Sequence, residues 1–160
     1  GRENFEKSAG EALKSAGVVL LITGAGGSFS SVIAATGIGD SIVSLLSTGA
    51  SSVGPAMFLC YLIGMIFRVA QGSGTVAGMT SMTIMATVAP AIGCHPVWLA
   101  LACLSGGNSI GHVNDSGFWV ATNMSGLTIT GGLKTYTLGS FISSVFIFLL
   151  ALIGALVIPL

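Results

Sequence analysis

The chain has 160 residues, 52% of them hydrophobic and 6% charged, with 5 basic and 5 acidic side chains and a formal net charge of zero. Ordinary soluble domains carry roughly 25% charged residues to cover a surface that water solvates; this composition excludes one and requires most of the chain to face lipid or protein. No Lys/Arg cluster exists to neutralise phosphates, which excludes nucleic acid as a partner.

The opening GRENFEKSAGEALK is polar and lacks the basic patch followed by an apolar core that marks a secretory signal. The chain therefore reads as a piece of a longer protein. Crossing a hydrocarbon core of about 30 Å takes about 20 apolar residues in a helix. The uncharged stretch from Ser15 to Gly39 predicts a first span over about 15–37, loosened at its centre by Gly24, Ala25, Gly26 and Gly27. Residues 41–54 (SIVSLLSTGASSVG) suit a short interfacial helix followed by a turn. From Pro55 to Phe67 there are only 13 apolar residues before Arg68, Gln71, Gly72, Ser73 and Gly74, too few to cross. A second apolar run from Thr75 to Ile92 follows directly, and the pair predicts a re-entrant helical hairpin over about 55–92. Gly93, Cys94, His95 and Pro96 close it with a turn, where His95 faces solvent.

The run from Val97 to Leu104 meets SGGNSIGHVNDSG (105–117) before FWVATNM resumes, which predicts a discontinuous transmembrane helix over about 97–124. The final stretch, with FISSVFIFLLALIGALVIPL free of charge, predicts a span over about 137–159. The expected class is all-α, a polytopic membrane protein. Arg2, Lys7 and Lys14 precede the first span and Lys134 the last, so both flanks are expected on the cytoplasmic side.

Backbone that leaves the helix at membrane depth must be buried in protein or line a wet cavity, and two such breaks suggest a shared one. The hairpin tip offers Arg68, Gln71, Ser73 and Thr75; the second break offers Asn108, Ser109, His112, Asn114, Asp115 and Ser116. Half-helices beginning near Thr75 and Ser116 would aim free N–H groups and positive dipole ends at an anion. Arg68 could grip a substrate carboxylate as a bidentate fork, or it could snorkel or pair with a carboxylate in the missing part of the protein. Asp115 at membrane depth should be paired, hydrated or protonated. It is a candidate for proton coupling, with His112 as a partner, and equally an N-cap for the helix that follows.

Other features carry blander readings. Cys60, Cys94 and Cys103 have neither disulfide nor zinc spacing and read as small apolar fillers; no metal and no cofactor is expected. Gly37, Ile38, Gly39 and Asp40 spell the GxGD string of intramembrane aspartyl proteases, with Asp115 as a conceivable second carboxylate. That gives an enzyme alternative, and a structural membrane subunit is a third reading. Glycine strings at 24–27 and 72–78 lack the βαβ context of a dinucleotide loop. Trp98, Trp119 and Tyr136 suit an aromatic belt.

Three blocks, ITGAGGSFSSVIAATGIGD (22–40), RVAQGSGTVA (68–77) and HVNDSGFW (112–119), resemble the gluconate permease family (gluconate:proton symporters of the GntP type) in sequence and in order. The likeness covers residues 10–160 and corresponds to the C-terminal half, the second repeat, of such a permease. It implies a secondary transporter, not an enzyme, that imports gluconate or a related small sugar acid with a proton across the bacterial cytoplasmic (inner) membrane; some members carry D-serine instead. It further implies the ion transporter superfamily architecture of two inverted repeats, each with a re-entrant hairpin and an unwound helix, of which this chain holds one. On that likeness residues 71–75, Gly74 included, form the hairpin tip and residues 106–116 the unwound helix. Ser73, Thr75, Asn108 and Asp115 are then the foremost substrate contacts. The partners expected are an anionic sugar acid, a proton, the lipid bilayer, the missing N-terminal half and, by analogy with the superfamily, a second copy in a homodimer.

Overall fold

The computed structural model describes residues 2–37, 41, 44, 52–86 and 89–158, and every regular element among them is helical. Helix α1 (Arg2–Ala35) runs through Gly24–Gly27 without interruption. The loosened centre expected there is thus absent: glycine weakens a helix by about 1 kcal/mol relative to alanine yet keeps its backbone donor and acceptor, and Ser28 Oγ adds a bond to the Gly24 carbonyl at 3.1 Å. Asp40 and most of the predicted interfacial stretch lie outside the described residues.

Helix α2 (Val53–Gln71) is 19 residues long, enough by length and composition to cross a membrane. The helix extends past both ends of the apolar run from Pro55 to Phe67 on which the short first arm is expected. The apolar run ends at Phe67 but the helix does not, because Arg68 finds a carboxylate inside the fold and need not escape to water. Gly72 ends α2 with a φ of 76° while its N–H bonds the Arg68 carbonyl at 2.9 Å. A residue with a Cβ would be strained there and would also strike the backbone of Asn114. After Ser73 the chain enters α3 (Gly74–Ala86), then the single turn α4 (Ala89–Ile92).

Helix α5 (Pro96–Gly107) starts with exposed His95 as its cap, Nδ1 accepting from the Val97 N–H at 3.3 Å, and with proline in its first turn. Residues 108–115 are non-helical, α6 (Ser116–Met124) follows, and Thr128 caps the final helix α7 (Ile129–Val157). This helix is also long and apolar enough to cross a membrane and begins well before the predicted 137. It carries a π-helical turn at Leu133–Thr137.

Helices α2, α3 and α5 pack on one another, α7 packs on α5 and α2, and α1 lies against α3. The core joins Met57 and Cys60 of α2, Ile84 and Met85 of α3, Leu99 and Cys103 of α5, and Phe148 and Ala151 of α7. The α2–α5–α3 contact is made largely of backbone. A Cβ on Gly106 would collide with the Tyr61 carbonyl, and one on Gly107 would stand 2.8 Å from Gly78 N. Close approach through small residues is how helices bind one another where apolar burial gives no driving force. Tyr61 Oη and Ser144 Oγ, buried at 3.0 Å, tie α2 to α7. Phe146, Leu150, Ile153 and Leu156 of α7 remain exposed.

Candidate functional site

The end of α2, the start of α3 and the non-helical stretch 108–115 come together. Arg68 lies in the last turn of α2, 4% exposed, with Asp115 5% exposed beside it. Arg68 Nη2 donates to Asp115 Oδ2 at 2.5 Å, and Nη1 donates to the Gly72 carbonyl at 3.1 Å. The guanidinium therefore clasps the turn that ends its own helix while holding the broken segment. Asp115 is both an N-cap and one half of an ion pair. Its Oδ1 caps α6 by accepting from Gly117 N at 2.9 Å, and its Oδ2 carries the ion pair and also accepts from Tyr136 Oη at 2.9 Å. Two buried charges are tolerable only because each is paired and hydrogen-bonded.

Beside this pair lies an open cavity of about 490 Å³, lined by Arg68, Gly74, Thr75, Leu101, Leu104, Ser105, Asn108, Asp115, Tyr136 and Ile147. Of the candidates taken from the sequence, Arg68, Gly74, Thr75, Asn108 and Asp115 share this wall. The others support it or stand apart. Ser73 Oγ accepts weakly from Val76 N at 3.4 Å at the start of α3. Buried Ser109 donates to the Gly106 carbonyl at 2.5 Å. Asn114 Nδ2 donates to the Val69 carbonyl at 2.8 Å, fastening the broken segment to α2. His112 Nδ1 accepts from Asn114 N at 3.5 Å, and Ser116 is exposed on the first turn of α6. Neither is among the lining residues.

Both polar atoms of the Gln71 amide and Arg68 Nε are buried without a hydrogen-bond partner. Such groups cost roughly 1–3 kcal/mol each when left unpaired, so the tip of α2 has spare hydrogen-bonding capacity beside an open cavity.

Two lining groups escape the sequence reading. Ser105 looks like one more small helical residue, and its Oγ donates to the Ala102 carbonyl at 2.8 Å. Tyr136, expected in an aromatic belt, instead turns its hydroxyl onto Asp115. Trp119 also departs from a simple belt residue, its indole N–H donating to the Val113 carbonyl at 2.7 Å.

The family model for GntP family permeases matches residues 2–157. Among curated relatives, the inner membrane permease YgbN of Escherichia coli is 38% identical over 131 residues, 80% of this chain and 28% of the relative. The high-affinity gluconate transporter of E. coli is 37% identical over 152 residues, 91% of this chain and 33% of the relative. The gluconate permease of Bacillus subtilis is 37% identical over 153 residues, again 91% and 33%. The chain thus spans about a third of the length of these relatives. No solved structure matches.

Proposed function

The chain belongs to the GntP permease family, and from that premise we propose that it forms part of the substrate path of a bacterial inner-membrane symporter that carries gluconate or a related small sugar acid together with a proton. The observation that carries this reading is the open cavity at the meeting of two helix interruptions, walled by hydroxyl and amide groups around the Arg68–Asp115 pair. A sugar acid needs a cation for its carboxylate and several short polar groups for its hydroxyls. Arg68 supplies the first, and Thr75, Ser105 and Asn108 supply the second. Gln71, Ser73, Gly74, Ser109, Asn114 and Ser116 complete the two polar breaks around it.

Charge balance supports the proton. The resting pair is neutral, and a carboxylate that takes Arg68 away from Asp115 leaves two anions facing one cation, at a position where Asp115 is only 5% exposed. Uncompensated charge at membrane depth is costly; binding a proton on Asp115 with the substrate restores neutrality, so the two enter together. His112, half-buried within the same segment, is the candidate relay. In this reading α2 with α3 forms the re-entrant hairpin, and α5 with α6 the discontinuous helix, of one inverted repeat; the remainder of the longer protein supplies the matching hairpin.

Among the described residues Asp115 meets a guanidinium and a phenol rather than a second carboxylate, which speaks against paired-carboxylate proteolysis. The test is uptake of labelled gluconate by the full-length parent in a transport-deficient host, with and without a protonophore and with D-serine as competitor. Accumulation that the protonophore abolishes and D-serine spares is the expected result. Uptake of D-serine alone would move the substrate within the family, and uptake of neither would overturn the reading.

A further inference from the structure

The last helix makes a detour that its apolar sequence does not require, and the detour ends at the site. At Leu133–Thr137 the helix widens into a π turn, the Leu138 N–H reaching back to the Leu133 carbonyl five residues away. Such bulges are rare inside α-helices and rotate the residues that follow onto a different face. Within the widened turn two consecutive side chains reach the broken segment, Tyr136 Oη to Asp115 Oδ2 at 2.9 Å and Thr137 Oγ1 to the Gly111 carbonyl. Local hydroxyls bond carbonyls along the same stretch, Thr135 to Gly131 at 2.8 Å and Ser140 to Tyr136 at 2.7 Å. The bulge is therefore fastened both to the rest of its own helix and to the site.

The phenol is fixed in place as well as aimed. Its ring stands edge-on to buried Phe118, centroids 5.9 Å apart and planes at 77°. The space it occupies exists because Gly111 and Gly117 lack side chains: a Cβ on Gly111 would lie 2.9 Å from the Tyr136 ring, and one on Gly117 would lie 2.8 Å from its hydroxyl. Tyr136 also lines the cavity, so one hydroxyl touches both the carboxylate and the space a ligand would fill.

We infer that Tyr136 is a positioning residue for anion entry: by sharing Asp115 Oδ2 with Arg68 it weakens the resting ion pair, and when a ligand anion takes Arg68 it keeps Asp115 at the cap of α6. The inference deepens the reading of the cavity as an anion site and rests on it. A carboxylate oxygen divided between two donors binds each less strongly than it would bind one alone, so losing the phenol lets Asp115 hold Arg68 more tightly and compete better with an incoming anion.

The test is a double-mutant cycle in the detergent-purified full-length permease, with Tyr136→Phe, Asp115→Asn and the two combined, each measured for melting temperature and for gluconate affinity by calorimetry. Tyr136→Phe should weaken gluconate binding about tenfold to a hundredfold, the scale of one hydrogen bond to a charged group, while adding it to Asp115→Asn should change affinity little further. A residue that only packs would weaken binding equally in both backgrounds, and that result would overturn the inference, as would unchanged affinity in Tyr136→Phe. If the unsubstituted protein does not bind gluconate, the substrate reading fails on its own account. The melting cycle then decides Tyr136: effects that do not add support its hold on Asp115, and additive ones overturn it.

Discussion

Arg68 and Asp115 stand 47 residues apart in the chain and form a buried pair at 2.5 Å. Each charge is tolerated because of the other, so removing one leaves its partner stranded. Arg68→Ala is expected to cost about 3–5 kcal/mol, read as a large drop in melting temperature, with Arg68→Ala/Asp115→Ala recovering part of the loss. Asp115→Asn separates two roles of one side chain. Asparagine also caps a helix well, so α6 should persist, while protonophore-sensitive accumulation of gluconate should disappear from the full-length permease. Unchanged accumulation would remove Asp115 as the coupling group. At this scale the sequence is legible where chemistry is scarce: with so few charges after residue 41, Arg68 and Asp115 are conspicuous. Their pairing is not legible, because nothing local to either residue says that its partner lies in this chain. Tyr136 is hidden for a related reason. A tyrosine near the end of an apolar helix looks like an interface anchor, and the π turn that redirects it has no signature among LKTYT.

Helix ends follow the sequence more closely than helix lengths. Polar and glycine-containing interruptions of the apolar pattern coincide with the end of α2 at Gln71, the start of α3 at Gly74, and the gap between Gly107 and Ser116. Length is read less well, since α2 continues past its apolar run to include Arg68 and α7 begins at Ile129. Burial of a charge against a distant partner and the cap by Thr128 decide those boundaries, and both are tertiary or local-polar effects that hydropathy does not register. Gly72→Ala should cost at least the roughly 1–2 kcal/mol of a left-handed residue, and more once the Asn114 backbone is displaced. Gly106→Ala forces α2 away from α5 and is expected to cost about 1–3 kcal/mol by overpacking. Loss of thermal stability in both, against little change for Gly139→Ala, where a Cβ meets nothing within 4 Å, is the outcome to look for.

For the molecule as a whole, the backbone-to-backbone seam of α2, α3 and α5 forms a close-packed block, and the segment 108–115 is fastened to it by Asn114 to Val69 and Asp115 to Arg68, and to α7 by Thr137 to Gly111. Access should divide accordingly. In the full-length permease a cysteine placed at exposed Ser116 is expected to react with a membrane-impermeant thiol reagent, and gluconate should slow the reaction. Cys60 and Cys103, both 0% exposed, should not react until the protein is denatured. Labelling of those two in the folded state would mean that the seam opens.

The same division gives the chain an optical probe of its own. It has only two tryptophans, one in the block and one bonded to the segment 108–115. Trp98 is wedged against Gly154, its indole N–H buried without a partner, whereas Trp119, 39% exposed, bonds the Val113 carbonyl of that segment at 2.7 Å. Light emitted by Trp98 should be blue and indifferent to ligand, while that from Trp119 should change colour whenever residues 108–115 shift. In a parent protein whose other tryptophans are removed, a Trp98→Phe variant would turn every rearrangement of the site into a spectral signal that needs no label.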